Sequence, residues 1–221
     1  MAELSIKIPS INQSYYDKTS AKANQEKIVN VIRPKFGSII NTVSSMSNVP
    51  SQLIESFIFI ESGGNEKAQS PYAVGLMQLN GATASDTIVK EKGAGRLSDP
   101  EATLLKKYLG SRYSLIENVK PKQTSLGKTF ITKADLLKPE FNVLVGTILL
   151  KQLLDEFTEP NGKIRMDKVI TIYNGGRFSG TSKKVIPFKG TTEELVKIVP
   201  KETSAYILKL IGVNSLLDTI V

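Results

Sequence analysis

Apolar residues recur at helical spacing along most of the chain, and proline or glycine punctuates them. From residue 25, Ile28, Val31 and Ile32 predict a helical stretch that Pro34 interrupts. Phe36, Ile39, Ile40, Val43 and Met46 resume the period to residue 47. The loop "SNVPS" follows, and Ser51 is placed to cap a helix over 52–61, with Gly63 and Gly64 just past its end. Farther along, "SDPEATLLKKYLGSRY" has a helical start and period. A long helix is predicted over 140–157, where Val143, Ile148, Leu149 and Leu153 are among the apolar positions. "EPNGK" reads as a turn, 166–173 as a short helix, 192–199 as another helical stretch, and Pro200 opens a last helix over 202–210. Strand-like alternation is confined to "LSIKI" at 4–8 and a short stretch at 129–132. Residues 1–23 are polar and weakly patterned, and read either as an arm or short β segment that docks on a partner or, equally, as a disordered tail. The fold class is mainly α with a short β element, without internal repeats.

One position breaks the pattern. Ile54, Phe57, Ile58 and residue 61 fall at i, i+3, i+4 and i+7, one face of a helix, and the fourth is Glu61. A carboxylate on an apolar face is costly unless something uses it. Desolvation and the negative end of the helix dipole both favour the protonated form, which a general acid requires. On this segment alone, a glutamate held by a backbone amide or a lysine is an equal alternative.

Composition narrows the chemistry. The chain has 221 residues, 40% of them hydrophobic, enough for one domain or one domain plus an arm. It has neither histidine nor cysteine. That excludes Ser-His-Asp and Cys-His catalysis and the common zinc sites, so no metal or cofactor is expected. Acid–base work falls to Asp, Glu, Lys or Tyr. The net charge of +8, from 29 basic and 21 acidic residues, favours an anionic partner such as nucleic acid, a membrane surface or an acidic wall polymer. The lysines are scattered and match no nucleic-acid-binding signature, so no specific nucleic acid is expected. No run approaches the roughly 18 apolar residues of a membrane span. The first residues lack the basic and apolar regions of a secretory signal.

Five motifs occur in order: "ESGG" at 61–64, "SPYAVGLMQL" at 70–79, "FNVLVG" at 141–146, "IYNGG" at 172–176 and "KETSAYI" at 201–207. Together they resemble the lytic transglycosylase family with the lysozyme-like Slt domain, over residues 35–212. The resemblance implies a helical, lysozyme-like fold that cleaves the MurNAc–GlcNAc β-1,4 bond of peptidoglycan. It makes Glu61 the catalytic acid and base, and Ser70 the serine that hydrogen-bonds it. Gln78 matches the glutamine that contacts sugar groups, and Asn80 stands at a further sugar contact. Tyr173 matches the tyrosine near the catalytic carboxyl, with Asn174 after it. Glu202 and Tyr206 match the last motif, at the rim or back of the cleft. Gly75 would let backbone approach a sugar, and Gln78 offers a donor and an acceptor to an N-acetyl group. Leu76 and Met77 read as core, and Asn142 as a residue that secures a loop.

Ordinary glycosidases use two carboxylates, about 5–9.5 Å apart. The resemblance implies one: Glu61 protonates the leaving oxygen, then takes a proton from the MurNAc C6 hydroxyl, which attacks C1 to give a 1,6-anhydro end. Goose-type lysozymes are the rival, similar to "GLMQVD", whose aspartate position here is Asn80. Asp86 and Glu202 are the candidates for a second carboxylate. A structural virion protein or glycan-binding module without activity is an alternative of another class.

The domain reading is an attachment arm at 1–34 and a lysozyme-like domain at 35–221, with an enlarged basic insertion at 81–139 that extends the groove, docks a partner or is a decorating loop without function. "SPYAVG" is one residue shorter than the family's usual loop, and Gly175 replaces its common alanine. With no signal peptide or anchor in the chain, the expected setting is a phage particle acting on the host wall. A conjugation or secretion complex and an endolysin are the other routes. Partners are glycan strands and other virion or secretion-complex proteins, met through the arm or the insertion.

Overall fold

The computed structural model describes residues 11–219. In chain order they form β1 (Ile11–Ser14), α1 (Lys18–Lys27), a π turn (Ile28–Ile32), α2 (Arg33–Ser47) and α3 (Ser51–Ser62). Next come α4 (Gly81–Gly93), α5 (Asp99–Leu109), a 3-10 turn (Gly110–Tyr113), α6 (Ser114–Glu117), α7 (Lys133–Leu136) and α8 (Pro139–Glu156). The chain ends with α9 (Met166–Gly175), α10 (Gly180–Val185), α11 (Thr192–Ile198), α12 (Lys201–Ile211), β2 (Gly212–Val213) and α13 (Leu216–Thr219). The fold is mainly α, as the periodicity predicts. No helix among the described residues is long and apolar enough to cross a membrane. The "LSIKI" alternation lies outside the described residues.

Val31–Lys151 make one compact unit. Here α2 packs on α3 and α5, and α4 on α6. Ile40, Val43, Leu53, Phe57, Leu76, Ile88, Leu105 and Phe141 are among its fully buried side chains, each stabilising by about 1.5–3 kcal/mol on burial. Pro34 does not end the helical path. The π turn precedes it, and Pro34 takes one of the first positions of α2. There proline's fixed φ already suits a helix. Ser51 does not cap α3: Pro50 stands at the cap and no side chain bonds there.

The 81–139 region departs most from expectation. The period in 81–93 builds α4, an element not predicted, with Ala84, Ile88 and Val89 buried. The stretch 129–132 is not a strand. Ser85 Oγ accepts from the amides of both Phe130 and Ile131 at 3.1 Å, and Thr132 caps α7. The Arg112 guanidinium forks onto Asp135 at 2.6 and 2.9 Å and also donates to the Phe130 carbonyl. Phe130, Ile131 and Leu136 are buried. This region therefore contributes to the core of its unit instead of decorating it.

The described residues of 1–30 and 152–221 form the second unit. β1 and β2 pair in parallel, Ile11 opposite Gly212, and α1 packs on α13. Ile11 and Ala21 are buried. Within the segment read as an arm or short β segment, residues 11–14 are a strand, and its partner is β2 of the same chain. Around it α9 packs on α10, α11 and α12.

Candidate active site

The end of α3 presents Glu61. Ile54, Phe57 and Ile58 on the same face are fully buried, and Glu61 is half-buried at the face's edge. The chain then turns sharply: Gly63 caps α3 in the left-handed region and its N–H donates to the Phe59 carbonyl. Gly64 follows at φ +81, where a β-carbon would stand 2.9 Å from Ile32 Cγ1. Two requirements converge there, left-handed backbone and clearance, and only glycine meets both.

Residues 69–79 fold back twice, through antiparallel bridges of Gln69 with Val74 and of Val74 with Leu79. Exposed Ser70 organises the first turn: its Oγ accepts from Tyr72 N at 3.2 Å and Ala73 N at 3.0 Å, and its hydroxyl meets the Ala73 carbonyl at 3.3 Å. These are the bonds of a tight turn closing on a hydroxyl; the bond to Glu61 that the resemblance implies is not among them. Tyr72 is 85% exposed at that turn. The sequence reading passed over it; an aromatic flanked by Pro71 in a turn is the signal.

Gln78 lies at φ +44, which costs a non-glycine residue about 1–2 kcal/mol. Its Nε2 donates to the carbonyls of Ala68 at 3.1 Å and Gly75 at 2.9 Å. Both amide hydrogens therefore hold the loop, and the amide oxygen is the group left to meet a ligand. Exposed Asn80 is the cap of α4, its Oδ1 accepting from Thr83 N at 2.8 Å.

Asn142, from α8, supports this loop from below. It is fully buried, and its Oδ1 accepts from Met77 N at 2.7 Å. Its Nδ2 donates to the carbonyls of Val74 at 3.0 Å and Leu136 at 2.8 Å. It secures a loop, as its motif position suggested. Gly75, at φ +83, is close to this side chain: a β-carbon would clash with Asn142 and stand 2.6 Å from the Leu136 carbonyl. The glycine is thus required by Asn142, whatever a sugar requires. Leu76 and Met77 are fully buried core, and Gly146 makes room for the Met77 sulfur, which a β-carbon there would approach to 2.5 Å.

The remaining motif residues belong to the second unit. Tyr173, half-buried, and Asn174, exposed, lie in the last turn of α9. Glu202 is exposed in the first turn of α12, where the helix dipole favours a carboxylate, and Tyr206 is buried one turn on. α9 and α12 pack together, so these four residues are carried on one helix pair. Asp86, the other candidate carboxylate, is exposed on α4.

Residues 38–119 match the family model for the Transglycosylase SLT domain. That stretch holds Glu61, Ser70, Gln78 and Asn80, and ends before the last three motifs. The chain is also 28% identical over 193 residues to the "Membrane-bound lytic murein transglycosylase E" of Buchnera aphidicola subsp. Acyrthosiphon pisum (strain APS). That alignment covers 86% of this chain and 67% of the relative. By domain match and by distant overall similarity, the chain is similar to the SLT-domain lytic transglycosylases.

Proposed function

We propose that this chain is a peptidoglycan lytic transglycosylase that cleaves the MurNAc–GlcNAc β-1,4 bond with Glu61 as its single acid and base. The observation that carries the reading is Glu61 itself. It is a half-buried carboxylate ending an otherwise apolar helix face, followed at once by the pinned 63–80 loop, within the stretch that matches the SLT domain.

Glu61 protonates the leaving glycosidic oxygen. The substrate's acetamido group stabilises the cationic centre at C1. The carboxylate formed at Glu61 then takes the proton of the MurNAc C6 hydroxyl as that oxygen bonds to C1, and no water is consumed. Gln78 Oε1 accepts from an N-acetyl N–H. The resemblance assigns substrate contacts to Tyr173, Asn174, Glu202 and Tyr206 as well, all four on the α9–α12 pair of the second unit. The delivery route is a phage particle that opens the host wall locally, and mass spectrometry of purified virions would reveal the chain there.

Product analysis on purified peptidoglycan tests the chemistry. Wild type is expected to release anhydro-muropeptides, one water lighter than hydrated ones, and Glu61→Gln to lose about 10²–10⁴ of the rate. Hydrated reducing ends would indicate a muramidase with a second carboxylate. Absence of product from wild type at every pH would indicate a binding module.

A further inference from the structure

A cavity of about 370 Å³ opens in the second unit among Glu159, Lys163, Arg165, Lys189 and Glu193. Its size is within the roughly 300–1,000 Å³ of ligand sites. One wall is a tied turn: Glu159 N donates to the Lys163 carbonyl at 2.8 Å, and Arg165 N to the Phe157 carbonyl at 2.9 Å. The other precedes α11, where Thr191 and Glu194 form a reciprocal cap. Lys168 Nζ steadies that side by donating to the Ile186 carbonyl at 2.8 Å.

Arg165 is only 9% exposed. Its Nε and Nη2 fork onto fully buried Asp167 at 3.0 and 2.7 Å. Nη1, with two N–H groups, has no hydrogen bond among the described residues. The side chains of Glu159, Lys163, Lys189 and Glu193 likewise make no ion pair or hydrogen bond among the described residues. Two carboxylates and two ammonium groups therefore border one cavity without a direct ion pair between them, beside a buried guanidinium with donors to offer. A simple anion site would not need the two glutamates, nor a cation site the lysines and arginine.

We propose that this cavity binds a short peptide bearing both a carboxylate and an ammonium group, as the stem peptides of peptidoglycan do. The assignment to stem peptides rests on the peptidoglycan reading above. The carboxylate meets Arg165 Nη1 and the lysines, in the charge-assisted geometry that arginine favours. The ammonium meets Glu159 and Glu193. Beside the cavity, burial first, and then the Arg165 charge, push the Lys168 ammonium below its ordinary pKa, and Lys189 adds to the same effect against Asp167 and Glu159.

The test titrates the full chain with a synthetic stem tetrapeptide, followed by NMR shifts and calorimetry. Saturable binding is expected, weakened at least tenfold by N-acetylating the amines or amidating the carboxylates. The double variants Lys163→Gln/Lys189→Gln and Glu159→Gln/Glu193→Gln should each weaken it similarly while melting as wild type does. No binding at millimolar peptide, binding undiminished in both variants, or equal binding of inorganic phosphate would overturn the proposal. Cleavage of peptide-free glycan strands, measured on the same variants, is expected to be unchanged. If binding follows the variants while wild type cleaves nothing, the catalytic reading falls and the cavity stands. If wild type cleaves and the tetrapeptide does not bind, the cavity proposal falls alone.

Discussion

Replacing Asn142 with alanine removes three buried hydrogen bonds at once, and the structure says which partners are then stranded. Val74 O keeps a second donor, Leu79 N at 3.1 Å. Met77 N loses its acceptor and Leu136 O loses the side-chain donor that reaches it. Two backbone groups stranded out of water cost about 1–3 kcal/mol each, so Asn142→Ala should destabilise by about 2–6 kcal/mol. Against a total of about 5–15 kcal/mol for a typical protein, that is a large fraction. A loss of about 4 kcal/mol lowers the melting temperature of a chain this size by about 8–16 °C. Asn142→Asp keeps the acceptor for Met77 N but turns an oxygen toward two carbonyls, so it should lose as much despite its shape. Urea and thermal unfolding by circular dichroism measure both. Activity on peptidoglycan, assayed well below the melting point, should also fall, because the 74–79 loop that holds Gln78 loses its support. A loss under about 1 kcal/mol for Asn142→Ala, with activity retained, would refute the assignment of Asn142 as the support of this loop.

Two left-handed glycines separate backbone strain from crowding. Gly95, at φ +69 with nothing within 4 Å of a β-carbon, should lose only about 1 kcal/mol on change to alanine. Gly64→Ala adds the Ile32 contact and should lose more than Gly95→Ala by urea denaturation; equal losses would refute the crowding argument. Asn80→Ala should cost about 1 kcal/mol through the lost cap, whereas Asn80→Asp, an equally good cap, should leave stability and the anhydro product unchanged. A switch to hydrated products in Asn80→Asp would show that this position can activate water. Burial alone would raise the Asp135 carboxyl, but hydrogen bonds from Arg112 and Thr132 outweigh it and hold its pKa well below the ordinary value. Its contribution is therefore present above the unfolded-state pKa of about 3.9 and is lost as pH falls below that. Wild type should lose stability between about pH 5 and 3 more steeply than Asp135→Asn, read from melting temperatures across that range; parallel curves would refute this.

What the sequence determined by itself was mostly local. Apolar period and glycine caps were enough to predict α3, α8, α9 and α12 closely, because a helix face is written in residues three and four apart. The same period singled out Glu61 as a carboxylate at the end of an apolar face, and the motif position of Asn142 marked it as a loop anchor. α4 was legible too, in Asn80 as a cap and the buried Ala84, Ile88 and Val89, but motif matching drew the reading past it. Other features depended on groups far apart in the chain. Pairing of Ile11 with Gly212 decided that residues 11–14 are a strand, since a strand's hydrogen bonds are satisfied only by a partner. Ser85 on the amides of Phe130 and Ile131, and Arg112 on Asp135, made the insertion core. The reason for Gly75 emerged only when Asn142, 67 positions later, came up beneath it. Period records which residues avoid water; which distant donor satisfies a given carbonyl is decided only when the chain folds.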